Sequence, residues 1–174
     1  ESNIIDPLFL THGPDNLVLN KWIQRQFIQE ENRLQNLMER LWLDISWRRH
    51  HRVLVFAADS LLWALRPLQS VPEGGVTIAS PKKSHQRLMA ELQLLDLINR
   101  PNLIDNNSIS FESLSDNHQF ELIGGRLYSE DLQPNKIDTL WPVITQRSTS
   151  ETILSLLMTQ SILGPAKALY EVLS

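Results

Sequence analysis

The sequence predicts one α/β domain with a doubly wound, mostly parallel sheet and an N-terminal helical segment. Short runs at residues 53–56 and 76–79 are dominated by β-branched and large apolar residues, which is typical of strands buried on both faces. Stretches with helical periodicity separate these runs, and alternating strands and helices form parallel sheets with right-handed crossovers. A length of 174 residues suits a single domain with a single core.

The N-terminal part is predicted to be an irregular lead-in followed by helix. Proline and glycine interrupt residues 1–14, and Asp15 is placed to cap a helix that begins near residue 16. The segment up to residue 47 forms one long helix or two shorter ones, with the polar stretch 29–33 as a bend or an exposed face. We therefore divide the chain into two parts of one structural unit, residues 1–48 and an α/β domain of residues 49–174.

The α/β domain opens with a strand over residues 52–57. Asp59 or Ser60 caps the helix that follows, residues 61–68, and Pro67 limits it. A proline-glycine turn then leads into the second strand, residues 76–80.

The next helix is predicted from a cap at Ser84 to about residue 99, with Leu88, Leu92, Leu95 and Ile98 as its buried stripe. The remaining elements are a weak strand (109–114), a better strand (120–123) that ends in a turn at Gly124 and Gly125, a helix (134–147), a strand (152–158) and a last helix (165–172).

Composition excludes several classes of function. The chain has no cysteine, which rules out disulfides, a thiolate nucleophile and cysteine-based zinc sites. Its net charge of −4 lacks the basic excess of a dedicated nucleic-acid binder. The histidines do not stand at metal-ligand spacing, and no apolar run approaches the ~20 residues of a membrane span. We expect a cytoplasmic protein with no metal and no membrane contact.

A ligand site in such a sheet is expected at the carboxyl ends of the strands. Close approach of a nucleotide to the backbone is easiest at glycine, but the turn at residues 56–62 contains none. Its side chains either exclude a cofactor or simply pack a strand-to-helix turn. The second strand ends in Ser80, where a carboxylate commonly receives ribose hydroxyls.

Several segments together resemble the class I S-adenosylmethionine-dependent methyltransferase fold over about residues 50–174. They are the helical lead-in, the strand segments VPEGGVTIAS and QFELIGGR, and the late strand followed by a helix. The family's glycine-rich motif would fall at residues 56–62, its ribose-binding acid at Ser80 and its Asn/Asp-Pro-Pro-aromatic motif near residues 124–127, and all three are missing. There is also no room for the family's last strand hairpin. The resemblance therefore implies a truncated Rossmann-like fold without a catalytic residue or a cofactor.

A narrower resemblance is carried by HHRVLVF, VPEGGV and FELIGGR, which are similar to the C-terminal extension of cyanobacterial AAA ATPases of the replication-associated recombination (RarA-like) type. It implies an accessory domain whose partners are other domains of a parent protein or a protein partner. The first residue, Glu1, agrees with an excised piece of a longer chain.

Two basic clusters are candidates for anions or DNA. Arg48, Arg49 and Arg52 lead into the first strand, whereas Lys82, Lys83 and Arg87 open the second crossover helix. Because one cluster enters a strand and the other leaves one, they should lie on opposite rims of the sheet. Solvated surfaces are the alternative for both clusters.

Three hypotheses follow. The favoured one is a non-catalytic, methyltransferase-like accessory domain of a DNA replication or recombination ATPase. The second is a divergent S-adenosylmethionine-dependent methyltransferase with Asp59, Ser80 and Arg126 lining the pocket. The third is a nucleic-acid-binding module that uses Lys82, Lys83 and Arg87.

Overall fold

The structure is a computed structural model. It describes residues 10–29, 33–106, 112–114, 119–128, 138, 141, 142 and 144–159. The predicted helix 165–172, most of the irregular lead-in and much of the predicted helix 134–147 lie outside these residues.

Five parallel strands form one sheet, which confirms the predicted fold class. In spatial order the strands are β3-β2-β1-β4-β5. Their bounds are Arg52–Phe56 (β1), Gly75–Ser80 (β2), Asn102–Asp105 (β3), Phe120–Tyr128 (β4) and Ser148–Thr159 (β5). The chain thus winds in one direction from β1 to β3 and then crosses back to β4 and β5.

Four α-helices accompany the sheet in the described part of the chain, namely α1 (Pro14–Gln29), α2 (Arg33–Leu41), α3 (Leu62–Ser70) and α4 (Lys82–Leu92). The N-terminal segment is therefore two helices. Asp15 lies inside α1 and is not its cap, because α1 already begins at Pro14 after Gly13, whose φ is 58°. Likewise Ser84 lies in the first turn of α4, and its N–H donates to the carbonyl of Pro81.

The core has two parts, one on each face of the sheet. On one face, Val53 and Val55 pack with residues of all four helices. On the other face, Leu54 and Phe56 pack with Ile144, which lies in a helical stretch. Helices on both faces make the sheet doubly wound, and the N-terminal helices share the core of the α/β part.

The third strand is not where the sequence predicts it. It occupies residues 102–105, and residues 112–114 of the predicted strand 109–114 are not extended. Helix α4 correspondingly ends at Leu92 and not near residue 99. The Asp96 N–H donates to the carbonyl of Leu10 (3.2 Å), and residues 97–99 form only a 3₁₀ turn. Ile98 is therefore exposed and does not belong to a buried stripe.

The prediction of a turn at Gly124 and Gly125 is also wrong, because both residues lie inside β4. A Cβ at Gly124 would stand 2.4 Å from the indole of Trp42, and a Cβ at Gly125 would stand 2.6 Å from the carbonyl oxygen of Phe56. These glycines serve close packing against the strand and do not form a turn.

Pro67 does not limit α3, which continues to Ser70. A proline lacks the N–H that would bond the carbonyl four residues earlier, here that of Trp63. The indole Nε1–H of buried Trp42 donates to this carbonyl instead (3.0 Å). The helix tolerates the proline because a side chain from outside α3 satisfies the carbonyl.

No helix among the described residues is long and apolar enough to cross a membrane.

Candidate functional site

The turn after β1 holds a backbone conformation that glycine favours, although no glycine is present. Ala57 has a φ of 53°, in the left-handed region that costs an L-residue roughly 1–2 kcal/mol. The next residue, Ala58, donates its N–H to the carbonyl of Ala79 at 3.2 Å, which ties the turn to β2. The lack of glycine was therefore an unreliable guide to the shape of this turn.

A buried carboxylate occupies the N-terminal end of α3. Glu91 of α4 is 7% exposed, and its Oε2 accepts a hydrogen bond from the Leu61 N–H (2.8 Å) and a longer one from the Ser60 hydroxyl (3.4 Å). Its Oε1 accepts from the Nε of Arg87 at 2.8 Å. Free N–H groups at a helix start attract anions, and here the chain supplies its own anion.

Asp59 and Arg126, two of the predicted cofactor residues, contact the same indole. The Nε1–H of Trp63 donates to Oδ1 of Asp59 (2.9 Å), and the guanidinium of Arg126 lies 5.6 Å from the centre of the Trp63 ring. Arg126 also donates from Nε to the hydroxyl of Thr159 (3.0 Å). Because β4 continues past Gly125, Arg126 lies in the strand beyond the level at which β1 ends.

Ser80, the third predicted cofactor residue, belongs to a different polar cluster. Its hydroxyl lies 2.9 Å from Nδ1 of His85, and the same nitrogen lies 3.2 Å from Oδ1 of Asp105. The three residues come from the end of β2, the first turns of α4 and the end of β3. A serine-histidine-aspartate relay needs the two oxygens on different ring nitrogens, so this cluster is not a hydrolytic triad.

Asn106 extends the cluster. Its N–H donates to the carbonyl of Ser80 (2.8 Å), and its Oδ1 is buried without a hydrogen-bond partner in the described part of the chain. A buried, unpaired acceptor costs about 1–3 kcal/mol. Sequence reasoning missed His85, Asp105 and Asn106, because the third strand was placed too late in the chain.

At the opposite end of the sheet, charged groups are paired. Arg52 donates to both oxygens of Glu121, from its backbone N–H (2.6 Å) and from its guanidinium (2.8 Å), and Arg49 pairs with Glu73 (2.6 Å). Burial alone would raise the pKa of Glu121, but the hydrogen bonds and charge of Arg52 hold it below its ordinary value. The hydrogen bond to Glu121 raises the pKa of Arg52.

His51 lies between Arg49 and Arg52, in the segment that leads into β1. Burial lowers the pKa of the His51 imidazole, and the charges of His50 and Arg48 lower it further, against the opposing attraction of Glu121.

The two basic clusters lie at opposite ends of the sheet, as their positions in the chain require. Arg52 pairs in register with the first residue of β2, whereas Lys82 and Lys83 follow its last residue. Both lysines are exposed, and Arg87 is held by Glu91. DNA binding by either cluster stays a prediction. No group of three or more metal-ligating side chains occurs within the described ranges.

Comparison with solved structures shows the fold. A Klebsiella pneumoniae protein named as an O-methyltransferase is similar with a TM-score of 0.53 and 20% identity, over 68% of this chain and 53% of that protein. A precorrin-6y C5,15-methyltransferase from Geobacter metallireducens gives 0.52 and 12%, over 79% and 68%. The plantazolicin methyltransferase BpumL, in complex with a pentazolic desmethylPZN analog and SAH, gives 0.50 and 12%, over 90% and 62%.

The chain thus spans about half the length of the Klebsiella protein. No protein-family model and no curated protein sequence matches it. At these identities the likeness concerns the fold alone, and the chain has a methyltransferase-like, Rossmann-like α/β fold.

Proposed function

We propose that the chain binds S-adenosylmethionine at the carboxyl ends of β1, β2 and β3, as a divergent domain of the methyltransferase type. The observation that carries the proposal is the left-handed turn at Ala57, at the point of the sheet where the winding direction changes. The three solved neighbours described above support this alternative better than a non-catalytic accessory domain, because all three are named as methyltransferases.

The turn at Ala57 fits close approach of a ligand to the backbone. A glycine there would adopt φ 53° without strain, whereas the alanine holds it at a cost, so the surrounding structure enforces the conformation. The alanine adds one methyl group to the ligand side at most. A single methyl group hinders ligand binding less than the absence of glycine from this turn suggests.

The charges at this end of the sheet favour a nucleoside ligand over a dinucleotide. A pyrophosphate would need the N-terminal end of α3, but Glu91 already takes the N–H of Leu61 there. Asp59 and Asp105 add two further carboxylates near the ends of β1 and β3. S-adenosylmethionine carries a positive sulfonium and no phosphate, so it meets attraction where a pyrophosphate meets repulsion.

The residues that would hold the cofactor are the backbone of Ala57, the side chain of Asp59 and the cluster formed by Ser80, His85 and Asp105. When bound, S-adenosylmethionine supplies a methyl group to a nucleophilic acceptor. Trp63 orients Asp59, and His85 contacts both Ser80 and Asp105, so all of these side chains are held before a ligand arrives.

Calorimetric titration of the purified chain with S-adenosylmethionine and S-adenosylhomocysteine tests the proposal. We expect micromolar binding of both ligands and no binding of NAD. No heat at millimolar S-adenosylmethionine would overturn the proposal.

A matched pair of variants locates the site. Ala57→Gly relieves the left-handed strain, so it should stabilise the fold by roughly 0.5–1 kcal/mol and bind at least as tightly. Ala57→Val puts a β-branched residue at positive φ and should weaken binding more than tenfold. Equal binding by both variants, with melting temperatures above the assay temperature, would mean that the ligand sits elsewhere.

The accessory role in a replication-associated recombination ATPase is not supported by the neighbours and stays a prediction, as does a role in binding nucleic acid. Three arginines of the basic clusters already contact carboxylates, Arg49, Arg52 and Arg87. This pairing leaves less charge for phosphate contacts than the sequence suggests.

A further inference from the structure

The cluster at the ends of β2 and β3 contains an imidazole, that of His85, whose second ring nitrogen has so far been given no role. We infer that His85 provides the acceptor at this position in place of Ser80, whose hydroxyl it engages, and that its Nε2 receives a hydroxyl of a nucleoside ligand. This inference rests on the proposed function, because it names the residue that recognises the sugar of that ligand.

The imidazole is fixed from one side only. Ser80 is fully buried, and its hydroxyl lies 2.9 Å from Nδ1 of His85. Oδ1 of Asp105, from the neighbouring strand, lies 3.2 Å from the same Nδ1. Both contacts go to one nitrogen, so they orient the ring and leave Nε2 outside the cluster.

The shared nitrogen must be the one that carries the proton. An ionised carboxylate accepts hydrogen bonds and cannot donate them. A lone pair on Nδ1 would face the carboxylate oxygen and be repelled, so Asp105 favours the tautomer with hydrogen on Nδ1. In a neutral imidazole Nε2 is then a pure acceptor, and the side chain is 29% exposed.

The position indicates which ligand group this acceptor meets. In doubly wound sheets an acidic acceptor after the second strand receives ribose hydroxyls. Here that strand ends in a serine whose hydroxyl is engaged by His85. The carboxylate of Asp105 therefore acts through His85, because it polarises the imidazole whose Nε2 accepts the hydrogen bond.

Asn106, which follows Asp105 in the chain, carries a further acceptor. Its Oδ1 is buried and unpaired in the described part of the chain, and its N–H is bonded to the carbonyl of Ser80. Two acceptors on residues bonded to Ser80 suit a ligand with two neighbouring donors. The ribose of a nucleoside, with adjacent hydroxyls, has this chemistry.

The test compares adenosine with the dideoxy analogue that lacks both ribose hydroxyls, by calorimetry on the full chain. We expect the wild-type chain to prefer adenosine by about tenfold, the size of one to two neutral hydrogen bonds. His85→Asn keeps a donor near Nδ1 for Ser80 and Asp105 but removes the outer acceptor, so it should lose most of this preference. His85→Gln reaches the position of Nε2 and should keep part of it.

The outcomes separate this inference from the proposed function. Binding of S-adenosylhomocysteine without any preference for adenosine, or a preference that survives in His85→Asn, overturns the role of His85 and leaves the cofactor proposal intact. Absence of S-adenosylhomocysteine binding to the wild-type chain overturns both.

A ligand-free measurement keeps the inference testable in every case. Nitrogen-15 NMR distinguishes the two imidazole tautomers, and we expect His85 to carry hydrogen on Nδ1 at neutral pH. A hydrogen on Nε2 would overturn the inference whatever the ligands do. Thermal unfolding of His85→Asn checks that its fold is retained.

Discussion

The two ends of the sheet use their polar residues in opposite ways. At the amino end, Arg52 and Glu121 join neighbouring strands, and Arg49 pairs with Glu73. At the carboxyl end, Ser80 and Asp105 both contact Nδ1 of His85, which leaves Nε2 of the ring for another partner. Oδ1 of Asn106 has no hydrogen-bond partner among the described residues. Paired charges hold strands in register, whereas groups with remaining hydrogen-bond capacity can bind a ligand. The difference supports the proposal that the ligand binds at the carboxyl end.

The largest effect is expected from a matched pair of glycines, one at each end of the sheet. Gly125→Ala places a Cβ 2.6 Å from the carbonyl oxygen of Phe56, so it should reduce the free energy of unfolding by about 1–3 kcal/mol. Gly75→Ala meets no atom within 4 Å and should change it by less than about 0.5 kcal/mol. Urea denaturation measures both. Equal effects would show that the carboxyl end is not tightly packed.

A smaller loss is expected when the anion at the start of α3 is removed. Glu91→Ala leaves the Leu61 N–H without its acceptor and should cost about 1–2 kcal/mol of unfolding free energy. Glu91→Gln keeps an oxygen for that N–H and should cost less. The alanine variant should also gain weak affinity for inorganic phosphate, because the helix start is then open to an anion. Equal stability of the two variants would contradict the capping role.

The smallest effect is expected at the amino end, from Glu121→Gln. The pair with Arg52 is about one-third exposed, so its loss should cost no more than about 1 kcal/mol. Since the folded pKa of Glu121 is lowered, its contribution is complete above the ordinary value of 4.5 and is lost as pH falls through the folded value.

Denaturation as a function of pH tests this prediction. The wild-type chain should lose stability more steeply than Glu121→Gln as pH falls below 4.5. Glu73→Gln is the control, because its partner Arg49 is largely exposed and the pair should contribute little. Parallel curves for wild type and Glu121→Gln would show that the pair does not stabilise the folded state.

The sequence predicts the buried strands of the sheet but not its third strand or the polar cluster at the carboxyl end. The runs at 53–56 and 76–79 predicted β1 and β2 because both strands are buried, and burial leaves an apolar pattern. β3 has only Leu103 and Ile104 between polar residues, so it left no comparable pattern. Because β3 was predicted at residues 109–114, the sequence did not indicate that Asp105 and Asn106 lie at the end of a strand, near His85.

Backbone conformation was the second gap. The sequence shows that the turn after β1 has no glycine, but it does not show that Ala57 adopts a positive φ. At Gly124 and Gly125 the sequence predicts a turn, but both glycines lie in a strand. There they allow close contact with the aromatic residues Trp42 and Phe56. In both cases the deciding contacts join residues far apart in the chain.

The contact between Trp42 and Gly124 constrains how this protein can change through evolution. The indole fills the space that any side chain at position 124 would need, and it also bonds the carbonyl of Trp63 that Pro67 leaves open. A substitution at one of these positions is tolerated only with a compensating change at another. Homologous sequences should therefore exchange the tryptophan, the glycine and the proline together, as a covarying set that links the N-terminal helices to the sheet.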